Sequence, residues 1–303
     1  MTDLPPHHDV SAGGDGFERR SLLKAGAVGA GVLGATTLTG GTAAGLTRSG
    51  RPVLTHGVQS GDVDKHSAMV WTCADRPSRM RVEVSADPSF RRSRVVRGPV
   101  LSPETGGTGK LRLRGLPTGA DVHYRVTAED LDGRVDSEPL TGRFRTAPKG
   151  RSDVRITWSG DVAGQGWGIN ADIGGMPAYT AMAERRPDLF LHSGDTVYAD
   201  GPLEESVTLP DGRVYRNVVT EAKSKVAETL DEYRGQFAYN LLADSVREFY
   251  ATTASYVQWD DHEVVNNWYP VDVLAQRAFR AFHEWHPIDP KAAEDGRVYR
   301  NFA

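Results

Sequence analysis

The sequence holds a single cysteine, Cys73, in 303 residues. An intramolecular disulfide and a zinc site built on cysteine pairs are therefore excluded. Cys73 falls in the alternating stretch AMVWTC and reads as a strand residue rather than a nucleophile. Positive charge is not in excess either: 36 Lys and Arg stand against 40 Asp and Glu, a formal net charge of −4. A nucleic-acid binder held by phosphate contacts needs a basic surface, so no nucleic-acid partner is expected. A membrane-spanning helix needs ~20 mostly apolar residues, and the N-terminal apolar stretch is interrupted by Gly and Thr. What is present is an ordinary globular composition, 39% apolar and 25% charged with 33 glycines, long enough for two domains.

The N-terminus reads as address rather than fold. FERRSLLKAGAVGAGVLGATTLTGGTAAG sets the pair Arg19 and Arg20 before Leu22, Leu23 and Lys24, then a weakly apolar Gly/Ala stretch ending near TAA. Charged, apolar and small segments in that order are the layout of an export signal, and the arginine pair gives it the twin-arginine type. The alternative is a tail with a chance arginine pair. Residues 1–44 are expected to be the signal, with the twin-arginine translocase as a partner. The product would be periplasmic, cell-wall or extracellular. That route is understood to carry folded proteins, which suits a chain with one cysteine.

From 52 to 147 the pattern has period two. RMRVEVS alternates Met80, Val82 and Val84 against Arg79, Arg81 and Glu83, and DVHYRVTAED alternates Val122, Tyr124, Val126 and Ala128 against polar neighbours. Such strands bury one face and wet the other. Turn signals separate them (DRPS, TGGTG, LPTGAD, LDG), so about seven short strands and a β-sandwich are predicted. RLRGLPTGADVHYRV resembles the fibronectin type III and immunoglobulin-like modules, in which Tyr124 would be a buried corner residue.

After the polar linker RTAPKGRSD the grammar changes, and residues 152–303 read as a second domain. VRITWSGD and LFLHSGD are apolar strands that end in Gly-Asp; SYVQWDDHE is a third that ends in acids. Helical stretches lie between and after them: GMPAYTAMAERRPDL, the run from Glu221 to Thr253 in two pieces, and VLAQRAFRAFHEWHP. Apolar strands alternating with helices imply an α/β (α+β) sheet whose ligands gather beyond the carboxyl ends of the strands. Asp161, Asp195 and the pair Asp260–Asp261 stand at those ends. One such acid could simply cap a helix. Three together crowd negative charge that something cationic must offset, and few Lys or Arg stand near them in sequence. A metal is the economical answer; a distant basic residue is the other.

Carboxylates, a phenol and an Asn amide are hard oxygen donors, suited to Ca2+, Mg2+, Mn2+ or ferric iron. Tyr198 lies three residues past Asp195, so one turn could aim both at one ion; packing beneath the site is the alternative. The Gly-rich GDVAGQGWGIN does not carry the GxGxxG spacing, and Asp161 at its start would repel a pyrophosphate. His192, within the second strand, reads as a buried structural residue.

SGDV, HSGDTVYADGP and WDDHEVVNN together resemble three motifs of the PhoD-like alkaline phosphatases and phosphodiesterases, of the metallophosphoesterase group. The resemblance runs from about residue 15 to 303. It implies a metallophosphoesterase-like α/β domain preceded by an immunoglobulin/fibronectin III-like sandwich, and a phosphate ester as substrate. It further implies Fe3+ held by Asp161, Asp195 and Tyr198. Ca2+ would be held by Asn267, with Asn266 as the fallback, and Asp195 would bridge the two. Metal-bound hydroxide would attack phosphorus. Many relatives carry cysteine where this chain has Asp161, which leaves the metal pair open. His262 could contact the phosphate or protonate a leaving group; bracing the motif by a hydrogen bond is the alternative. A monomer is expected. The family continues beyond RVYRNFA with further histidine and carboxylate ligands, so 152–303 is expected to be the N-terminal part of the phosphatase domain. An inactive remnant, or a secreted sandwich that binds a partner, is the alternative.

Overall fold

The computed structural model describes residues 50–268, 273–289, 291 and 298. The chain divides into Met1–Arg48 and Ser49–Ala303, so the export signal expected at 1–44 lies outside the described residues. Among the described residues no helix is long and apolar enough to cross a membrane.

The period-two stretch gives seven strands: β1 (Leu54–Gly61), β2 (Ser67–Ala74), β3 (Ser78–Ser85), β4 (Ser93–Leu101), β5 (Thr108–Arg114), β6 (Asp121–Asp130) and β7 (Leu140–Arg145). A four-stranded antiparallel sheet, β4-β3-β6-β7, lies against β5-β2-β1. Met80, Val82, Val122, Tyr124 and Val126 from the first meet Val58, Ala68, Val70 and Leu113 from the second in one buried cluster.

The second half supplies β8 (Ile156–Ser159), α1 (Pro177–Glu184), β9 (Leu189–His192), the hairpin β10 (Ser206–Thr208) and β11 (Val214–Arg216), α2 (Leu230–Asn240), α3 (Asp244–Thr252), β12 (Ala254–Val257) and α4 (Val273–Trp285). The hairpin is absent from the sequence reading, although LPDG marks its turn. α2 opens on a capping box: Thr229 accepts from the Glu232 N–H and the Glu232 carboxylate accepts from the Thr229 N–H.

The linker does not separate the sheets. One six-stranded sheet runs β5-β2-β1-β12-β9-β8, antiparallel at its first two pairings and parallel after them. β1 joins β12 where Gly61 pairs with Ser255. A side chain there would not fit, since a Cβ on Gly61 would stand 2.6 Å from the Ser255 carbonyl oxygen. β2 shows why a strand can read as alternating and still be buried throughout. Ala68, Val70 and Ala74 point into the sandwich cluster; Trp71 and Cys73 point into a second core with Phe237, Phe282 and Trp285. The Trp71 Nε1–H donates to the Glu284 carbonyl at 2.8 Å, tying β2 to α4. Burial pushes the Cys73 thiol up to about 11, which leaves it inert at neutral pH.

Helices cover one face of the parallel strands: Phe190 is fully buried against Tyr179 of α1 and Phe249 of α3. On the opposite face Ile156, Trp158 and Leu191 stand 51%, 71% and 39% exposed, and β8 has no neighbour on its outer edge among the described residues.

His286, just past α4, makes the core sensitive to acid. It is buried, its Nδ1 lies 2.9 Å from the Phe282 carbonyl oxygen and so carries the proton, and burial lowers its pKa from 6.5 to about 3. The unfolded chain takes up a proton near pH 6.5 that folded His286 refuses until about pH 3. Its stabilising contribution is therefore present above pH 6.5 and is lost as pH falls. His286 alone is expected to remove roughly 1.5 kcal/mol between pH 6.5 and 5. Urea denaturation of the wild type and of His286→Gln at both pH values measures this; equal slopes in the two proteins would show that the folded histidine charges freely.

Candidate metal centre

The parallel strands end level with one another. Ser159 of β8 pairs with His192 of β9, which pairs with Val257 of β12. The acids follow two to four residues later, at one edge of the sheet. Their loops are laced by backbone bonds: Val162 N–H to the Asp195 carbonyl at 3.0 Å, and Ala199 N–H to the His262 carbonyl at 2.9 Å. Gly194, at φ +101°, lets the loop after β9 pass so near that a Cβ would stand 2.4 Å from the Asp260 Cβ. Asp161, Asp195 and Asn267 have φ of 56°, 51° and 58°, in the left-handed region that side chains enter only when their surroundings hold them there.

Tyr198 is the hub. Its hydroxyl donates to Asp161 Oδ1 and lies 3.3 Å from Asp195 Oδ2, so one phenol joins two of the strand-end acids. The His262 ring stacks on the Tyr198 ring at 4.2 Å between centroids. Gly164 lies against the same ring: a Cβ there would be 2.2 Å from ring carbons. His262 Nδ1 is 2.9 Å from both Asp200 oxygens, and its backbone N–H donates to Asp195 Oδ1 at 3.3 Å. Ligand atoms of Asp195, Asp261 and His262 all lie within 4.8 Å of one another. Asn267 reaches this group by its backbone, whose N–H donates to Asp261 Oδ2 at 2.6 Å, and Asn266 N–H donates to Asp200 at 2.8 Å. Buried Glu263 accepts from the Thr196 N–H and hydroxyl, each at 2.7 Å, and from the Asp260 N–H at 3.1 Å, so it holds the ends of β9 and β12 together.

Burial dominates the electrostatics of the site, with the neighbouring acids adding to it. Burial raises Asp195 to about 6; the His262 N–H and ring charge pull it down, and Asp161 pushes it up. Burial and then the Asp161 hydrogen bond raise the Tyr198 phenol far above its ordinary value. Burial raises Glu263 to about 7. Burial lowers His262, but the Asp200 hydrogen bond and charge outweigh it, so its pKa is raised. A multivalent cation would draw the raised Asp195 carboxyl and Tyr198 phenol back down, because its own charge would be the largest beside them. Three carboxylates and a phenol are also an oxygen donor set that hard cations accept. The residues present therefore fit a metal.

The structure thus brings Asp161, Asp195, Tyr198 and His262 into one cluster, with Asn267 at its rim. His192 is buried beneath, its ring edge-on to Phe190 at 5.6 Å, and burial lowers its pKa to about 4. Sequence reasoning noted Asp261 without assigning it a role and missed Asp200 and Glu263. Asp200 closes the same turn as Asp195 and Tyr198 in GDTVYADG, and Glu263 follows His262 directly; both signals were local. A groove of about 500 Å³ lined by Thr220, Asp231, Glu232, Gly235 and Tyr239 shares no residue with this cluster.

The mixed sheet with acids at its parallel strand ends agrees with a metallophosphoesterase-like α/β fold, which a structural match supports. Residues 41–148 match the profile of the PhoD-like phosphatase N-terminal domain and 156–303 that of the PhoD-like phosphatases; the chain belongs to this family. It is 26% identical over 275 residues to alkaline phosphatase D of Bacillus subtilis (strain 168), covering 82% of this chain and 44% of that protein. A solved structure described as that of PhoD superposes with a TM-score of 0.67 at 25% identity, over 84% of this chain and 50% of that one. A yellow lupin purple acid phosphatase, at TM-score 0.48 and 13% identity over 77% and 39%, is too distant to carry an argument. The chain spans about half the length of the relatives it matches.

Gly164→Ala is expected to push the Tyr198 ring off Asp161 and to weaken Mn2+ binding about 10-fold. Equilibrium dialysis with metal analysis measures this, with far-UV circular dichroism checking the fold. Wild-type affinity in a folded variant would show that the ring need not stand where it does.

Proposed function

We propose that this chain is the N-terminal part of an exported, metal-dependent hydrolase of phosphate esters. The observation that carries the reading is the Tyr198 hydroxyl set between Asp161 and Asp195, beside the Asp195–Asp261–His262 cluster. Asp161, Asp195 and Tyr198 would hold Fe3+; Asp195, Asp261 and Asn267 would face Ca2+. The identities of both ions rest on the family resemblance. Cations bound there would lower the pKa of a coordinated water and neutralise charge on the phosphoryl oxygens.

The chain's own residues do the rest. Asp161 and Asp195 supply fixed negative oxygens from loops that cannot swing, since their backbones are bonded to each other. Tyr198 already directs its proton at Asp161, so a ready acceptor stands where the phenol must ionise to become a ligand. Asp200 takes Nδ1 of His262, which leaves Nε2 as the ring nitrogen for substrate. The same carboxylate favours a proton on the ring, against burial, and a protonated ring could donate to a phosphate oxygen or a leaving alcohol. The Asp200–His262 pair thereby joins the two readings of His262: the bond that braces the ring also favours its protonated form.

The sheet orders β5-β2-β1 and β4-β3-β6-β7 support an immunoglobulin/fibronectin III-like module at 52–147. Export by the twin-arginine translocase remains the reading of residues 1–44.

The complete, metal-loaded protein is expected to hydrolyse p-nitrophenyl phosphate or its diester. Asp195→Asn should lower kcat by about 10³-fold, on the scale of losing a group that stabilises transition-state charge. Iron bound to the phenol should give a visible absorption band that Tyr198→Phe loses. Full activity in Asp195→Asn would sink the assignment.

A further inference from the structure

The strand-end acids have few basic neighbours in sequence, yet the fold brings them one from a distance. Lys223 ends the 3-10 turn Glu221–Lys223 and is 0% exposed. Its ammonium donates to the Ala163 carbonyl at 3.2 Å and to the Tyr198 carbonyl at 3.1 Å. Ala163 lies two residues past Asp161 and Tyr198 three past Asp195, so one amine grips both ligand loops. The ammonium also lies 5.5 Å from the centre of the Tyr239 ring.

The turn that carries it cannot drift. Leu203 N–H donates to the Lys223 carbonyl at 2.7 Å, and Gln236 of α2 donates to the Ala222 carbonyl at 2.6 Å. Gly235 lets α2 approach so closely that a Cβ there would be 2.6 Å from the Ala222 Cβ. Taking an ammonium out of water is costly unless it is well paired. A methionine would fill the same space without that cost. What the amine adds is the two bonds; burial lowers its pKa to about 7 while the Asp200 charge pulls the other way, so it is the hydrogen bonds and not a permanent charge that the side chain contributes.

We infer that Lys223 is a positioning residue for the metal centre: its buried amine, by donating to both carbonyls, clamps the loops after β8 and β9 at one separation and so sets the spacing of Asp161, Asp195 and Tyr198. This rests on the metal reading above, and the experiment separates the two.

Lys223→Met removes charge and donors at nearly constant length. Its Mn2+ affinity, by equilibrium dialysis, should fall at least ~10-fold, as for partners that orient metal ligands. The rise in Tm on adding Mn2+ should shrink with it, and kcat should fall more than KM changes. A lysine that only supports the fold would lower the Tm of the metal-free protein and leave the Mn2+ affinity alone. That result overturns the inference. Should Lys223→Met not fold, Lys223→Gln, which keeps an amide donor, carries the same two measurements; affinity within two-fold of wild type overturns the inference there too. If the wild type binds Mn2+ and Asp195→Asn does not, the metal reading stands whatever Lys223 does. If the wild type shows no Mn2+ effect, both fail.

Discussion

Carboxylates cannot be packed around one phenol at the end of a sheet unless positive charge answers them. That constraint organises the second half of this chain. Burial is the main cause of the raised values of Asp195 and Glu263, and the neighbouring charges of Asp161 and Asp195 add to it. The loops nonetheless hold their acids in place with left-handed backbones, a glycine against Asp260 and a glycine against the Tyr198 ring. Conformations of that kind persist only where the surrounding structure overdetermines them. Here the surroundings are the level strand ends, the Glu263 brace and the Lys223 clamp.

The sandwich is part of that surrounding structure. β2 sends alternate side chains into two cores, so the layer built from residues 52–147 forms a wall for the helices of the second half as well as a partner for its own sheet. The join at Gly61 and Ser255 continues the sandwich sheet into the parallel strands. A disturbance in β1 or β2 would therefore reach α4 through Trp71 and Trp285, whose ring centroids lie 5.7 Å apart.

Features written in short-range pattern were legible in the sequence. Period two gave the seven strands, the Gly-Asp strand ends gave the acids, and the three-residue step from Asp195 to Tyr198 gave two groups in one turn. Features that depend on distant segments were not. Lys223 sits in EAKSK, which reads as the start of a helix; it forms a 3-10 turn instead, and only the packing of that turn on α2 turns the side chain inward. The continuous sheet escaped for the same reason, since a single pairing between residues almost 200 positions apart leaves no local mark. Asp200 was within reach: it belongs to the same turn as its neighbours, but nothing local showed that His262 would arrive beside it.

The outward face of β8 has a practical side. An edge strand offers a row of backbone donors and acceptors to any strand that meets it, and here Trp158 marks that row at 71% exposure, its indole N–H bonded to Ser193 at 2.8 Å. An indole so placed is a built-in fluorophore: its emission would shift to shorter wavelength when anything apolar covers the face, and would stay that of a wet tryptophan while the face is bare.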